Sequence, residues 1–408
     1  MILYKILYIK LFVLAISISF LSLIIYCSEP YGVGVDVSFE MIDSIKKVSV
    51  VAEKYDEDTS YFCLLAPSRI SSFEQCHLSR VMTVKNTKIG DLQVGGYPLL
   101  QTLQWENEDF STPQWRPQGI CKFKSANGTN FMIVSWYGRQ EAANDHKGAR
   151  ITIINSDTKN YVHLLLVQNA CNIASDSLLF RLPLASSKRY SQLDGFAPVP
   201  VHAGGIVCAS PYLFVADTKL GIRVFNLNKI YRTTSFTLSD RCGIDDEGIH
   251  GFEFEYIIPE VAYYKISGAA PYSYLFLEEA NGRKHLWTGQ YLKSGVPFLS
   301  RFTIDNSGLI DENKLAEIFV PLDEQGKTIP CAQGFAIYNE ICFISRSGAA
   351  SKNGTTSRLV QFALDERATQ TRLWPHGSES LFYNQDQNSV WSLTEFENNR
   401  FLFCVKLL

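Results

Sequence analysis

The sequence lacks the short motifs that mark several common classes of enzyme and metal protein. It contains no CxxC pair, which argues against a zinc cluster, and no HExxH, G-x-S-x-G or P-loop motif. Lysine and arginine are scattered singly, and the formal net charge is −3. Because the chain offers no basic stripe for a phosphate backbone, we expect no nucleic-acid partner.

The N-terminal apolar run is too short for an ordinary membrane span. It covers residues 11–26 and follows two lysines, whereas a spanning helix needs about 20 residues. This pattern is typical of a secretory signal peptide, which we assign to residues 1–28. The residues before the cleavage point are large, so an uncleaved membrane anchor is the alternative. We expect a secreted protein, and the sequons at Asn127 and Asn353 predict glycosylation in a eukaryotic secretory pathway.

Ten cysteines are present, and export would permit disulfides. Cys331 and Cys342 flank one predicted strand and could bridge a hairpin, while Cys63 and Cys76 could close a local loop. The alternative is that several cysteines are buried apolar side chains within strands, which we favour over a catalytic role. The cysteines in apolar runs are Cys121, Cys208 and Cys404.

Glycine, tyrosine and a short repeated pattern are abundant instead. The 26 glycines and 20 tyrosines suit a protein of strands and turns, and 46% hydrophobic residues can form a large core. Five times, a polar or small residue opens an apolar stretch that is followed by a turn and a second strand. The repeats open at Gln118, Gly204, Glu260, Gln333 and Glu379. The second strands are predicted at residues 131–137, 212–218, 273–280, 341–347 and 390–395.

Each repeat continues into a third strand, and some add a fourth, most clearly at residues 160–168 and 297–304. Three or four antiparallel strands, repeated about five times, match the blades of a β-propeller. We therefore predict an all-β fold in which residues 118–408 form a propeller, with five blades favoured and six possible.

The last repeat predicts how the ring closes. The sequence ends after three strands of this repeat, so its outermost strand must come from elsewhere to avoid an exposed edge. We expect the N-terminal segment, residues 29–117, to supply it, and residues 46–55 and 60–67 are the candidate strands. A complete sixth blade in the same segment is the alternative.

Three sequence blocks carry a family resemblance: His202-Ala-Gly-Gly, Val215-Ala-Asp-Thr and Trp391-Ser-Leu-Thr-Glu. With the surrounding strands they resemble a family of secreted bacterial propeller-like proteins found widely in actinobacteria, over residues 118–408. The resemblance implies a propeller fold and export, and it implies no reaction. Where such proteins show Pro-Glu-Asp-Leu, this chain has Ser-Glu-Ser-Leu around Glu379, so only one of two adjacent carboxylates is kept.

A ring of polar residues is predicted at one end of the propeller channel. The first strand of each blade lines the channel, and ligand sites usually lie where these strands begin. The aligned repeats place there Gln118, Gly204 with nearby His202, Glu260, Gln333 and Glu379. Carboxylate and amide oxygens suit Ca²⁺, which makes Glu260 and Glu379 candidate metal ligands. The ring could equally orient a sugar, or only hydrogen-bond water and backbone.

The ends of the second strands provide further polar side chains, including Asp217, Glu278, Arg346 and Glu395. A glycosidase needs two carboxylates about 5 to 10 Å apart. Our candidate catalytic acids are Glu260, Glu379 and Asp217, and the ligand-binding candidates are Gln118, His202, Gln333, Glu278 and Arg346. The antiparallel direction of these strands leaves open which side of the disk their ends occupy.

Three hypotheses for function follow. The first is a secreted or surface propeller that binds a glycan, a small polar ligand or a protein at the channel face. The second is a hydrolase or lyase of carbohydrates that uses channel carboxylates. The third is a structural interaction module without a small-molecule site. Close carboxylates of Glu260 and Glu379 in an open pocket would favour the second.

Overall fold

The structure, a computed structural model, is almost entirely β-strand. It describes residues 49–54, 79–80, 82–83, 94–125, 128–139, 148–169, 191–192, 195–219, 221–234, 241–267, 272–348, 357–364 and 366–407. Within them lie strands β1 to β28 and one short helix, α1 (Asn107–Ser111), so the predicted all-β class is confirmed. The predicted signal segment and the asparagines of both sequons lie outside these residues. No described helix is long and apolar enough to cross a membrane.

Five antiparallel units of four strands form the body of the fold. Blade 1 contains β5 (Trp115–Lys124), β6 (Asn130–Gly138), β7 (Ala149–Asn155) and β8 (Asn160–Asn169). Blade 2 contains β11 (Ile206–Ala209), β12 (Tyr212–Asp217), β13 (Gly221–Asn226) and the second half of β17 (Tyr256–Ser267). Blade 3 contains β18 (Tyr272–Ala280), β19 (Arg283–Gln290), β20 (Leu299–Ile304) and β21 (Glu317–Phe319).

Blade 4 contains β22 (Ala332–Tyr338), β23 (Ile341–Arg346), β24 (Ser357–Ala363) and β25 (Ala368–Trp374). Blade 5 contains β26 (Ser378–Asn384), β27 (Ser389–Thr394), β28 (Phe401–Lys406) and β4 (Leu99–Gln104), extended by β3 (Met82–Thr83). The innermost strands β5, β11, β18, β22 and β26 contact one another in succession, and β26 returns to β5. This closed ring of five is a β-propeller, and the described residues form no sixth blade.

The burial of the strands follows from the packing of blades face to face. The inner strands are covered on both faces, so β7 is buried at six consecutive positions instead of alternating. The outermost strand β25 has one face in solvent and is largely exposed between its buried ends. Continuous apolar runs therefore mark inner strands, and polar ones mark the rim.

Two glycines allow the innermost strands to approach each other. A Cβ atom on Gly205 would lie 2.3 Å from the backbone nitrogen of Leu275, and one on Gly334 would lie 2.7 Å from that of Leu381. Both distances are shorter than side chains tolerate, and the opposing atoms are backbone that cannot swing away. Glycine at these positions is thus a requirement of the narrow five-bladed ring.

The predicted order of strands in blade 3 is wrong by one. Residues 260–262 were predicted to open this blade, but they lie in β17, the outer strand of blade 2. The strand predicted as second, β18, is the innermost one, and the segment 297–304 contains the third strand, β20, instead of the fourth. β17 also joins two blades, because its first half pairs in parallel with β8 of blade 1.

The N-terminal segment closes the ring, as predicted, but with a different strand. β4 pairs with β28 and completes blade 5. Of the two predicted candidates, one contains β1 (Ser49–Lys54), which instead pairs with β17 at the outer edge of blade 2. The other, residues 60–67, lies outside the described part of the chain.

Short strands extend or cover the outer edges. The remaining strands are β2 (Ser79–Arg80), β9 (Ser191–Gln192), β10 (Phe196–Pro198), β14 (Tyr231–Arg232), β15 (Arg241–Asp245) and β16 (Gly248–Gly251). β15, β16 and β9 form a separate small sheet. β2 and β10 pair with β8, and β14 pairs with β17.

Helix α1 fixes the closing strand to blades 1 and 5 through one residue, Asp109, whose side chain bonds to blade 1 and whose backbone bonds to blade 5. Asp109 Oδ1 accepts a hydrogen bond from Arg150 Nη2 at 2.6 Å, and Oδ2 accepts from the Tyr161 hydroxyl and lies 3.0 Å from His163 Nε2. These three partners belong to β7 and β8 of blade 1. The backbone oxygen of Asp109 accepts from Arg400 Nη1 at 2.8 Å, just before β28. The N-terminal segment is therefore held on both sides of the seam.

No disulfide joins two cysteines of the described residues. Cys331 and Cys342 do not form a disulfide with each other, so the predicted hairpin disulfide is wrong. Cys121 and Cys404 are buried in the core, which confirms the interpretation of these two as apolar side chains; Cys208 is half-buried. Cys63 and Cys76 lie outside the described residues.

Candidate functional site

Four of the five innermost strands carry a register shift close to their first residues. The shifts lie between Pro117 and Ile120, Tyr272 and Tyr274, Ala332 and Gly334, and Ser378 and Leu381. Such bulges re-aim side chains and are frequent next to functional sites. The polar residues inside them are Gln118, Ser273, Gln333, Glu379 and Ser380. Three of the five predicted opening positions, Gln118, Gln333 and Glu379, thus lie in bulges.

The ends of the second strands lie on the same side of the disk as these bulges. In blade 5, Ser378 at the start of β26 is opposite Thr394 at the end of β27. In blade 4, Ala332 is opposite Arg346. The question left open by the antiparallel strand direction is therefore settled, and we call this side of the disk the opening face.

Two glutamates of blade 5, which we call the acid pair, lie at the opening face. Glu379 is only 3% exposed, and its Oε1 accepts a hydrogen bond from Gln333 Nε2 of blade 4 at 3.0 Å. Glu395 follows β27, and its Oε2 accepts from Gln118 Nε2 of blade 1 at 3.0 Å. The two bonds link side chains of three neighbouring blades.

The surroundings of the acid pair raise the pKa of its two members to different degrees. Burial raises the pKa of Glu379 well above its usual range, the negative charge of Glu395 adds to this, and Arg116 only partly opposes it. Burial also raises the pKa of Glu395, but Arg116 and the hydrogen bond from Gln118 limit the rise. Arg116 Nη1 lies 3.6 Å from Glu395 Oε2. Of the two carboxyls, Glu379 therefore holds its proton more strongly than Glu395.

Aromatic and imidazole rings surround the acid pair. Tyr137 packs against the exposed His202 with ring centroids 4.1 Å apart, and His376 packs against Phe396 at 4.7 Å. Burial raises the pKa of Tyr137, and the nearby charge of Glu395 raises it further. Flat apolar faces beside hydrogen-bonding groups are the surface that a sugar ring requires.

Glu260 and Asp217 do not lie in this ring of polar side chains, so the expectation for Glu260 is wrong. Arg223 Nε donates to Asp217 Oδ2 at 2.7 Å, and Arg223 Nη1 donates to both oxygens of Glu260, at 3.2 and 3.0 Å. All three side chains are at most 3% exposed. They form a buried ion cluster inside blade 2, and Arg223 also reaches Gln168 of blade 1.

The remaining candidates divide between the two faces. Glu278 lies near the far end of β18, where Trp287 Nε1 donates to it at 2.8 Å, so it is remote from the opening face. Arg346 ends β23 and lies at the opening face with a half-buried side chain. Gln118, Gln333, His202 and Glu379 are at this face as well.

The predicted calcium ligands do not come together, because Glu260 and Glu379 lie in different blades and different surroundings. Within the described residues, a set of metal-type ligands occurs at Asp245, Glu247 and His250, whose ligand atoms lie within 4.8 Å of one another. Arg241 Nη1 lies 3.1 Å from Asp245 and 2.8 Å from Glu247. A guanidinium thus already neutralises this cluster.

No family model and no curated protein sequence matches the chain. Among solved structures, the chain is similar to a GH43_1 enzyme from Xanthomonas citri, with 9% identity and a TM-score of 0.38 over 74% of this chain and 89% of that one. It is similar to a gluconolactonase from Xanthomonas campestris, with 11% identity and a TM-score of 0.33 over 84% and 97%. An α-L-arabinofuranosidase from Clostridium thermocellum gives 10% identity and a TM-score of 0.33 over 68% and 81%.

At such low similarity, the roles of individual residues rest on this chain alone. Its own strands and side chains define a five-bladed β-propeller with an acid pair at its opening face.

Proposed function

We propose that this protein is a carbohydrate hydrolase whose reaction centre is the acid pair, Glu379 and Glu395. The observation that supports the proposal is the unequal environment of the two carboxyls: burial raises the pKa of Glu379 well above its usual range, whereas Arg116 and the hydrogen bond from Gln118 limit the rise that burial causes in the pKa of Glu395. Neighbouring carboxyls whose environments push their pKa values apart are the usual division between a general acid and a general base.

The proposed reaction uses one carboxyl for each proton transfer. Glu379 donates its proton to the glycosidic oxygen as the bond from that oxygen to the anomeric carbon breaks. Glu395 either accepts a proton from the water that attacks the anomeric carbon or attacks that carbon itself, as the two modes of glycosidase do. Gln333 and Gln118 hold the two carboxyls through one hydrogen bond each.

Side chains at the opening face supply the binding surface in this proposal. The ring pairs formed by Tyr137 with His202 and by His376 with Phe396 offer stacking faces. The guanidinium of Arg116 lies over Phe396, 5.4 Å from the ring centroid, and can donate to a sugar hydroxyl. A polar, ring-shaped ligand is the class that these groups would recognise together.

Single isosteric substitutions test the acid pair. Against a panel of chromogenic glycosides and polysaccharides, Glu379→Gln and Glu395→Gln should each lower kcat by about 100-fold or more, the scale of a lost general acid or base. The matched control is Glu397→Gln, because Glu397 lies two residues further on and pairs at the surface with Arg139 at 3.1 Å. Turnover that survives both acid-pair substitutions would refute the assignment.

The pH profile should show which carboxyl has which role. Because Glu395 must be ionised, kcat/KM should fall as the pH drops through its raised pKa. Because Glu379 must be protonated, kcat/KM should fall again at high pH, through a pKa well above the ordinary range. Glu379→Gln should remove the high-pH limb from any residual activity, whereas a profile with the same limb would assign that proton to another group.

Binding without turnover is the second candidate, and the burial of Glu379 favours it. A side chain that is 3% exposed and already bonded to Gln333 can be a fixed part of a binding surface. In this case the wild-type protein binds a glycan in calorimetry, Glu395→Ala weakens the binding, and no glycoside is cleaved. Absence of both binding and turnover across the panel would contradict both functions.

A further inference from the structure

Two arginines face each other across blade 4 at the opening face. Arg346 ends β23 and is directly opposite Arg358, near the start of β24, in the antiparallel ladder. Directly opposite residues have their Cβ atoms about 4.5 to 5.5 Å apart on the same face of the sheet. Like charges at this spacing destabilise a sheet unless something neutralises them.

Neither guanidinium has a partner within the described residues. Arg346 Nε and Arg358 Nη1 are buried and form no hydrogen bond, and neither residue forms an ion pair. Several other arginines of the propeller meet a carboxylate, as Arg223 meets Asp217 and Glu260. A buried donor on a charged group without an acceptor is costly, so this pair differs from the ordinary structural arginines of the chain.

The pair faces the cleft between blades 3 and 4. Ile344 precedes Arg346 by two residues on the same strand face and is opposite Phe335. Phe335 packs on Trp287 of blade 3, with ring centroids 5.1 Å apart. At the end of this cleft, Leu292 of blade 3 accepts a backbone hydrogen bond from Cys331 N at 2.7 Å. Gln333, the partner of Glu379, is next to Ala332, which is opposite Arg346.

We propose that Arg346 and Arg358 form a binding site for an oxyanion, a carboxylate, sulfate or phosphate group on the ligand. Two planar guanidinium forks side by side match the oxygens of such a group, and its charge cancels their mutual repulsion. That the group belongs to an acidic saccharide rests on the proposed function. The oxyanion site itself does not rest on it.

The first test uses inorganic anions and needs no turnover. The melting temperature of the full chain is measured with sodium sulfate, sodium phosphate and sodium chloride at equal ionic strength. The wild type should be stabilised by sulfate or phosphate beyond chloride, because a ligand that binds only the folded state raises its stability. Arg346→Gln and Arg358→Gln should each weaken the apparent anion affinity by about tenfold or more, the scale of one charge-assisted hydrogen bond.

Two further variants separate binding from packing. Arg283→Gln removes the same charge at the exposed turn that joins β18 and β19, on the opposite face, and should keep the anion response. Arg346→Lys keeps the charge but not the fork, so it should fold as the wild type and still bind the anion more weakly. In chloride, Arg358→Gln should melt no lower than the wild type, because a like-charge repulsion is removed.

The outcome distinguishes this site from the acid pair. A wild type that responds equally to sulfate, phosphate and chloride, or arginine variants that keep the full response, would overturn the oxyanion site. A comparison of sodium glucuronate with glucose then tests whether the oxyanion belongs to an acidic saccharide. Stabilisation by glucuronate that both arginine variants lose supports an acidic saccharide, whereas no stabilisation by either compound overturns it. Cleavage of neutral glycosides that depends on Glu379 is unaffected by either result.

Discussion

Asp109 should be among the most important single side chains for stability, because it holds the ring closed. Asp109→Asn keeps the size of the side chain and removes its charge, which leaves the buried Arg150 without its counter-charge. Removing one member of a buried ion pair typically costs about 3 to 5 kcal/mol. The Arg150 guanidinium also lies 4.7 Å from the centroids of both Trp115 and Trp136, and these contacts remain, so we expect a loss near 3 kcal/mol.

A loss of this size is large against the total. Folded proteins are stable by about 5 to 15 kcal/mol, so this one substitution should remove a fifth or more of the free energy of unfolding. The effect should also depend on pH. Burial alone would raise the pKa of Asp109, but His163 and Arg150 together hold it well below the usual range. A lowered carboxyl pKa contributes stability above the unfolded pKa, and that contribution is lost as the pH falls through the folded value.

Urea unfolding followed by circular dichroism measures both effects. The difference in free energy of unfolding between wild type and Asp109→Asn should be large at pH 7 and shrink progressively below about pH 4, because the carboxyl then takes up a proton in the unfolded chain while the folded state still holds its charge. Glu108→Gln, an exposed change on the same helix, should cost less than about 0.5 kcal/mol. A cost for Asp109→Asn below about 1 kcal/mol, or an equal cost for Glu108→Gln, would refute the role given to α1.

Three further predictions concern blade 2, the innermost ring and the cysteines. Burial raises the pKa of Glu260 to about 7, so its stabilising contribution is present in acid and is lost as the pH rises through that value. Glu260→Gln should reduce this fall in the free energy of unfolding, as measured by urea unfolding at several pH values. Gly205→Ala should cost about 1 to 3 kcal/mol because its Cβ overlaps the backbone of Tyr274 and Leu275, and an unchanged melting temperature would contradict this. Cys331 and Cys342 should both be alkylated in denaturant without reductant, and a crosslinked peptide in mass spectrometry would contradict this.

Much of the fold could be predicted because propeller contacts are local. Within blades 1, 3 and 4, and among the first three strands of blades 2 and 5, each strand pairs with the next one along the chain, so the polar, apolar and turn pattern is repeated with each hairpin. The failure at Glu260 has a physical reason. The strand β17 pairs with β13 along one edge and with β1 along the other, and most of its side chains from Tyr256 to Ile266 are buried, so its sequence is as apolar as that of an inner strand. Pattern alone cannot separate the two.

The prediction that a strand from the N-terminal segment closes the ring was correct, but the strand chosen for it was wrong. An unpaired edge after β28 requires a partner, which the order of the chain indicates. The choice between β1 and β4 depends on contacts far apart in sequence. Asp109, five residues after β4, meets Arg150 and Tyr161 only in the folded ring. Periodicity does not record such pairings, so a candidate strand with the right composition was not distinguished from the true one.

The candidate site shows what a repeat pattern does and does not determine. Next to the bulges of blades 1, 3 and 4, the second strand has a small residue, Ser135, Gly289 or Ser345, because the ring leaves little space there. The polar residue in the bulge is free of this constraint and differs between blades. Glu379 and Glu395 belong to the two strands of one hairpin, so the antiparallel geometry of that hairpin alone could have predicted that they lie close together.

The charges of the opening face are therefore distributed unequally over a nearly symmetric frame. Blade 5 carries the acid pair, and blade 4 carries Arg346 opposite Arg358. Gln333 of blade 4 bonds directly to Glu379, so the acidic and basic groups lie in adjacent blades and not across the ring. A ligand that satisfied both would have to present a hydrogen-bonding oxygen to the acid pair and an anionic group to the neighbouring blade, a demand that neutral, symmetric molecules do not meet.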